Sequence, residues 1–218
     1  MDYETLTVLF RSRQTLLKIL EGRGYNVKPY EKFGPIEIAA MAAAATSAAG
    51  PRSFRMDLER ETTEPLSKCR VIYSIQRLKN RLPGFIEDQT NEDNEDSVNV
   101  ENTELIVIVL EPVVESFHSA ALGALSSKKL HVSFFQAHTI VNNPMDHVLQ
   151  PKFELLPSAN RAEFLQSNNI KTAENLPIIK FHEDMVARIM ALMPGDIVKI
   201  TRASPSAGEY VSYRICRA

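Results

Sequence analysis

Residues 192–217, LMPGDIVKITRASPSAGEYVSYRICR, carry the strongest structural pattern in this chain of 218 residues. Within them, residues 197–201 and 210–215 alternate branched or aromatic side chains with polar ones, which is typical of strands buried on one face. Turn-forming residues, among them Gly195 and Gly208, bound each run. The pattern therefore predicts an antiparallel strand pair, with a positive φ at both glycines where the chain reverses.

Composition places the chain among globular proteins. It has 44% hydrophobic and 24% charged residues, and its length suits one large domain or two modest ones. A formal charge of -2 argues against a free-standing nucleic-acid binder, which usually carries a clear basic excess. The two cysteines are too few for a disulfide framework or a cysteine-rich zinc site. No apolar run approaches the length needed to span a bilayer, so we expect no membrane partner.

Charge is distributed unevenly along the chain. Nine basic and seven acidic residues follow from His147 onward, whereas sixteen basic and twenty acidic residues precede it. The shift falls at the turn-rich residues 142–146 and predicts two domains, 1–144 and 145–218. The strand pair in the second domain is mildly basic, which leaves two interpretations open: an ordinary small β unit, or a surface on which a partner docks. Its cations are Lys199, Arg202, Arg214 and Arg217.

The first domain reads as α/β. Leucines at helical spacing predict a helix over residues 3–21, and an alanine-rich stretch predicts a second over residues 36–49. Residues 69–75, 105–110 and 130–135 are predicted strands, and residues 113–125 form a helix between the last two. Strand, helix and strand in this order predict a βαβ crossover in a mixed sheet with flanking helices.

The segment 86–104 has an unusual composition, with eight acidic residues and no basic one. Such a block repels itself, so we predict a flexible acidic loop. Carboxylates could hold a hard cation there, but the spacing of a calcium loop, with its central Gly and terminal Glu, is absent.

No catalytic, cofactor or metal site is predicted. The five histidines lack metal-ligand spacing, and there is no glycine-rich phosphate loop. Cys69 and Cys216 fall on predicted strands and are expected to be structural. Metal-dependent nucleases commonly place an acid two residues before a lysine on one strand, and no lysine here has one.

Three segments closely resemble the jaw-forming fifth subunit of eukaryotic nuclear DNA-directed RNA polymerases, a family that also has an archaeal counterpart. The resemblance covers residues 147–217 well and is thin over residues 1–146. The segments are His147-Val148-Leu149-Gln150-Pro151-Lys152, Pro194-Gly195-Asp196-Ile197-Val198-Lys199-Ile200-Thr201-Arg202 and Ala207-Gly208-Glu209-Tyr210-Val211-Ser212-Tyr213-Arg214.

The resemblance implies an N-terminal α/β jaw domain, with a nuclease-like fold but no active site, and a small C-terminal α+β assembly domain. It implies a non-catalytic subunit, located in the nucleus, or in the nucleolus if it joins the ribosomal-RNA polymerase. Its expected partners are the largest polymerase subunit, other polymerase subunits and downstream DNA within the complex. The residues expected to dock the partner are His147, Pro151, Lys152, Lys199, Arg202, Gly208, Tyr210, Tyr213 and Arg214.

The chain also departs from the family. Val114-Glu115-Ser116, preceded by Glu111, stands where the family has a Thr-Pro-Ser-like turn near DNA. Carboxylates repel phosphates, which weakens the expectation of a DNA contact at this tip. The departures leave open a divergent paralogue or a virus-encoded version. Two alternative functions also remain, a metal-dependent nuclease-like enzyme and an interaction module that acts apart from polymerase.

Overall fold

The computed structural model describes residues 2–46, 54–61, 66–91 and 97–218. The chain divides into an N-terminal unit, Met1–Asn143, and a C-terminal unit, Pro144–Ala218. The division falls one residue before the boundary drawn from the sequence. That each unit folds as an independent domain stays a prediction.

A four-stranded mixed sheet forms the centre of the N-terminal unit. The sequence predicted a mixed sheet and three of these strands, but not the first. The strand order is β1 (Arg55–Glu59), β2 (Lys68–Ser74), β3 (Thr103–Val109) and β4 (His131–Gln136). β1 runs antiparallel to β2, whereas β2, β3 and β4 are mutually parallel. All seven residues of β3 are buried, because a central parallel strand is covered on both faces.

Four α-helices in the described part of the N-terminal unit accompany this sheet. They are α1 (Tyr3–Gly22), α2 (Pro35–Thr46), α3 (Leu82–Thr90) and α4 (Glu115–Lys128). The Asp2 carboxylate caps α1 by accepting a hydrogen bond from the Thr5 backbone N–H at 3.2 Å. α4 connects the parallel strands β3 and β4, which confirms the predicted βαβ crossover. The last three residues predicted for the second helix lie outside the described residues.

The prediction of one flexible acidic loop over residues 86–104 is wrong at both ends. α3 continues to Thr90, because Ile86 packs into the core and gives the segment a buried face. Val98 is also buried in that core, and Glu104 belongs to β3. Glu104 is tolerated inside the sheet because Arg23 neutralises it. Residues 92–96, which hold four of the eight acids, lie outside the described residues.

The C-terminal unit has a second four-stranded sheet. Its order is β5 (Lys152–Leu155), β7 (Ile197–Ser204), β8 (Gly208–Arg217) and β6 (Ile178–Lys180). β7 and β8 form an antiparallel hairpin, which confirms the predicted strand pair. The two short helices are α5 (Arg161–Ser167) and α6 (Met185–Ile189). The unit is therefore α+β, as expected.

Both glycines of the strand pair have the predicted conformation. Gly195 has φ +102° and Gly208 has φ +74°. Residues other than glycine rarely adopt a positive φ, so the two glycines fix where the chain reverses. No helix within the described ranges combines the length and apolar character that crossing a membrane requires.

Candidate docking surface

The β7–β8 hairpin extends beyond the core of the C-terminal unit. Near its base, Ile197, Val198 and Ile215 are buried. Towards its tip, Tyr210 is 59% exposed and Val211 is 40% exposed. An exposed strand pair that carries large apolar side chains is a candidate surface for a protein partner.

The predicted docking residues of the hairpin lie on both of its faces. Residues directly opposite each other in an antiparallel pair share a face. Lys199 lies opposite Tyr213, and β5 brings Lys152 to the same face. Arg202 lies opposite Tyr210 on the other face. Arg214, opposite Val198, shares this second face.

Several of these residues are engaged within the unit. Glu154 Oε1 lies 2.6 Å from Lys152 Nζ, and Glu154 Oε2 lies 3.5 Å from Lys199 Nζ. The hydrogen bond from Lys152 lowers the pKa of Glu154, and the same contact raises the pKa of Lys152. Arg214 Nη1 donates a hydrogen bond to the Ile178 carbonyl at 3.0 Å. The contacts of Lys199 and Arg214 join neighbouring strands, whereas the Lys152–Glu154 pair lies within β5. Both kinds of contact give these residues a structural role.

Tyr213 is half-buried and packs against the core of the C-terminal unit. Its ring centroid lies 4.4 Å from that of Phe164, and the ring packs on a cluster that includes Ile197 and Ile215. Truncating Tyr213 would therefore disturb packing before it disturbed any interface. Gly208, at the start of β8, serves the reversal at the hairpin tip.

Arg202 and Tyr210 form the most available part of the hairpin. They are exposed cross-strand neighbours. Within the described ranges, Arg202 makes no hydrogen bond or ion pair. Arg and Tyr are enriched among the residues that dominate binding at protein interfaces. This pair is the part of the predicted set best placed to contact a partner.

The loop before β5 adds an apolar element that the sequence reasoning missed. Val148 is 95% exposed and Leu149 is 84% exposed. His147 holds the loop locally, since its Nδ1 accepts a hydrogen bond from the Leu149 backbone N–H at 3.2 Å. Pro151, half-buried, directly precedes β5. Two adjacent apolar residues between a histidine and a proline were the available signal, because contiguous exposed apolar side chains are more informative than single ones.

A second cluster bears on the nuclease alternative. Cys69, Glu104 and His131 lie side by side across β2, β3 and β4, and all three are buried. Arg23, which follows α1, donates to both carboxylate oxygens of Glu104, with Nη1 lying 3.2 Å from Oε1. His131 Nδ1 lies 3.7 Å from the same Oε1.

The electrostatics of this cluster indicate a closed structural network. Burial raises the pKa of Cys69 well above its ordinary value, so the thiol stays protonated and unreactive. Burial alone would raise the pKa of Glu104, but Arg23 and His131 together hold it below its ordinary value. Among the described residues, no three His, Cys, Asp or Glu side chains are placed to hold a metal ion together.

Comparison with known proteins singles out the C-terminal unit. The model of the family described as "RNA polymerase Rpb5, C-terminal domain" matches residues 142–216. An RNA polymerase subunit Rpo5 from Archaeoglobus fulgidus is 47% identical over 70 residues, covering 32% of this chain and 90% of the relative. Its counterpart from Staphylothermus marinus is 44% identical over 72 residues, covering 33% of this chain and 77% of the relative.

The similarity also extends over the full length. The relative named "DNA-directed RNA polymerases I, II, and III subunit rpabc1" from Dictyostelium discoideum is 26% identical over 220 residues. The match covers 98% of this chain and 99% of that protein. Identity is thus lower over the whole chain than over the unit that carries the hairpin.

Proposed function

The chain belongs to the Rpb5 family of RNA polymerase subunits, and from this premise we propose that it is a non-catalytic subunit of a DNA-directed RNA polymerase in the nucleus. In this proposal the C-terminal unit docks on the largest subunit. The N-terminal unit forms part of the jaw that surrounds downstream DNA. Nucleotide addition belongs to other subunits of the complex.

One observation carries the proposal. The unit with the higher similarity to polymerase subunits exposes the large apolar side chains of Val148 and Leu149. It also exposes the cross-strand pair Arg202 and Tyr210. Exposed apolar side chains of this kind mark interaction surfaces rather than solvated ones. A protein partner would cover Val148, Leu149 and the Arg202–Tyr210 pair.

The N-terminal unit is not expected to hold DNA by itself. Residues 1–143 carry sixteen basic and nineteen acidic residues, a net charge of -3. Phosphate binding without assistance depends on several cations acting together. In this proposal, DNA is held by the assembled complex, and the unit contributes shape rather than charge.

Co-purification tests the docking surface. The tagged chain is expressed in its source organism and purified from nuclear extract. The largest polymerase subunit should co-purify with it. The pair Arg202→Glu and Tyr210→Ala should reduce that recovery at least about thirtyfold, since residues of these types commonly contribute about 2 kcal/mol or more. Lys171→Glu, an exposed charge reversal in the same unit but outside the hairpin, is the matched control.

The outcomes separate the parts of the proposal. Undiminished recovery with the double variant would move the docking surface elsewhere on the unit. A wild-type chain that recovers no polymerase subunit would refute the proposed function. Cleavage of DNA by the pure chain with magnesium or manganese would favour the nuclease alternative instead.

A further inference from the structure

A basic loop follows β2 at the carboxyl end of the parallel strands. Two apolar side chains, Leu78 and Leu82, are buried in the core and anchor the loop. Arg77, Lys79 and Arg81 alternate with these anchors and are exposed. The chain therefore holds three cations on one short, fixed segment of a unit that is otherwise acidic.

Glu111 braces this loop. Its Oε1 accepts hydrogen bonds from the backbone N–H groups of Leu78, at 2.6 Å, and Lys79, at 2.9 Å. The Glu111 carboxylate is thus held against the backbone of the loop, where it keeps its negative charge. Within the described ranges, no ion pair joins Arg77, Lys79 or Arg81 to an acidic side chain.

A cleft of about 610 Å³ lies beside the loop. Volumes of this order accommodate a drug-sized ligand or a few side chains. Apolar side chains dominate its walls, and Asn80 and Arg81 bring the basic loop to its rim. One carboxylate, Asp88 on α3, also lines it. The apolar residues of the lining are Ala45, Ile72, Ile75, Leu78, Pro83 and Phe85. Arg77 and Lys79 lie on the same loop as Arg81 but line a neighbouring cleft, which Asn80 and Glu111 also line.

We propose that this cleft binds a short acidic peptide segment carrying large apolar side chains. The apolar side chains fill the cleft, and a carboxylate of the peptide faces Arg81 at its rim. Further carboxylates follow the loop to Arg77 and Lys79, beside the cleft. Charge complementarity selects this partner, because the three cations have no acidic partner among the described residues. The inference goes beyond membership of a polymerase and does not rest on it.

Nucleic acid fits the same features less well. A polyanion is usually bound through many cations, whereas the N-terminal unit has a net charge of -3 over residues 1–143. A phosphate backbone also has no apolar group to place in a cleft lined by isoleucine, leucine and phenylalanine side chains. The two features together, an apolar cleft and a basic rim, match a peptide with both kinds of side chain.

Fluorescence anisotropy on the full-length chain tests the proposal. The probe is a labelled synthetic peptide composed of Asp, Glu, Phe and Leu. Neutralising the rim with Arg77→Gln, Lys79→Gln and Arg81→Gln should weaken binding about tenfold, as expected for three exposed charge pairs. Lys28→Gln with Lys32→Gln removes exposed charge elsewhere in the same unit and should leave the affinity unchanged.

Gly84→Leu blocks the cleft without disturbing the fold. Gly84 lines the cleft, and a Cβ placed there meets no atom within 4 Å. Leucine also favours the helix in which this residue lies. The variant should keep the wild-type circular dichroism spectrum and bind the probe at least about tenfold more weakly.

Three further probes make the outcomes decisive. A peptide with Ser in place of Phe and Leu, and one with Asn and Gln in place of the acids, should each bind at least about tenfold more weakly. If neither Gly84→Leu nor the rim variant lowers the affinity for the acidic peptide, the proposal is overturned. A DNA duplex that binds more tightly than the peptide, and loses affinity in the rim variant, would assign the loop to nucleic acid and also overturn it.

Discussion

Replacing Glu104 with glutamine should destabilise the N-terminal unit strongly. The side chain is fully buried in β3 and accepts hydrogen bonds from both Nη atoms of Arg23. Glutamine keeps the volume but removes the charge that Arg23 and the neighbouring His131 face. The Arg23 guanidinium then remains in the interior without its anion.

The expected loss is about 3 kcal/mol. Removing one partner of a buried ion pair commonly costs about 3–5 kcal/mol, because the remaining charge stays desolvated. The lower end applies here, since the Arg23 side chain is 15% exposed and can regain some contact with water. Exchanging both partners for apolar residues, Arg23→Met with Glu104→Leu, should cost less than Glu104→Leu alone.

Urea unfolding followed by far-UV circular dichroism measures this loss. Among the described residues, the N-terminal unit has four α-helices of 9 to 20 residues, whereas the two α-helices of the C-terminal unit have 7 and 5 residues. Helix ellipticity therefore reports mainly on the N-terminal unit. Glu101→Gln, an exposed acid three residues earlier, is the control. A Glu104→Gln variant within about 0.5 kcal/mol of that control would refute the reasoning.

The dependence on pH supplies a second check. The pKa of Glu104 is held below its ordinary value of 4.5 in the folded chain, so the unfolded chain takes up the proton first as pH falls. The stabilisation is therefore complete above the ordinary pKa and is lost progressively below it. The difference between wild type and Glu104→Gln should narrow as the pH falls below 4.5, and a constant difference would contradict the assigned cause.

Three other predictions concern stability. Arg13 is buried and its guanidinium lies over the rings of Tyr30 and Phe33 but makes no hydrogen bond to a described residue. Arg13→Met should therefore leave the urea midpoint unchanged or raise it; a large fall would show that the ring contacts outweigh the cost of burying the charge. Gly208→Val should cost about 1–3 kcal/mol of unfolding free energy, and so lower the melting temperature, because φ is +74° there. Gly123→Ala inside α4 should raise the melting temperature. A fragment of residues 144–218 should unfold cooperatively in urea, and a featureless response would contradict an independent C-terminal domain.

The sequence predicted those parts of the fold that are decided by local pattern. A continuous apolar run identified β3, and alternation with two turn glycines identified the β7–β8 hairpin. β1 was missed because three of its five residues, RMDLE, are charged and read as a polar connection. Its charges are neutralised in the sheet, where Asp57 contacts both Arg55 and Arg70.

The acidic segment shows a different limit. Counting acids over residues 86–104 treats every carboxylate as solvated, yet Glu104 is buried beside an arginine 81 residues away in sequence. Nothing local to Glu104 indicates that partner. The helix over Leu82–Thr90 is hard to predict for a different reason, because Pro83 and Gly84 suggest a turn. Proline is nevertheless well accommodated in the first turn of a helix.

The predicted docking residues illustrate what strand periodicity could have supplied. Side chains alternate along a strand, so Lys199 and Arg202, three residues apart, must lie on opposite faces. Reversing Lys199 would break its pair with Glu154, and reversing Arg214 would lose the hydrogen bond to β6, so either change alters folding as well as docking. Arg202 has no such internal contact among the described residues. A variant at Arg202 that lowers polymerase recovery without lowering the melting temperature would therefore report on the interface, and a variant at Lys199 would not separate the two effects.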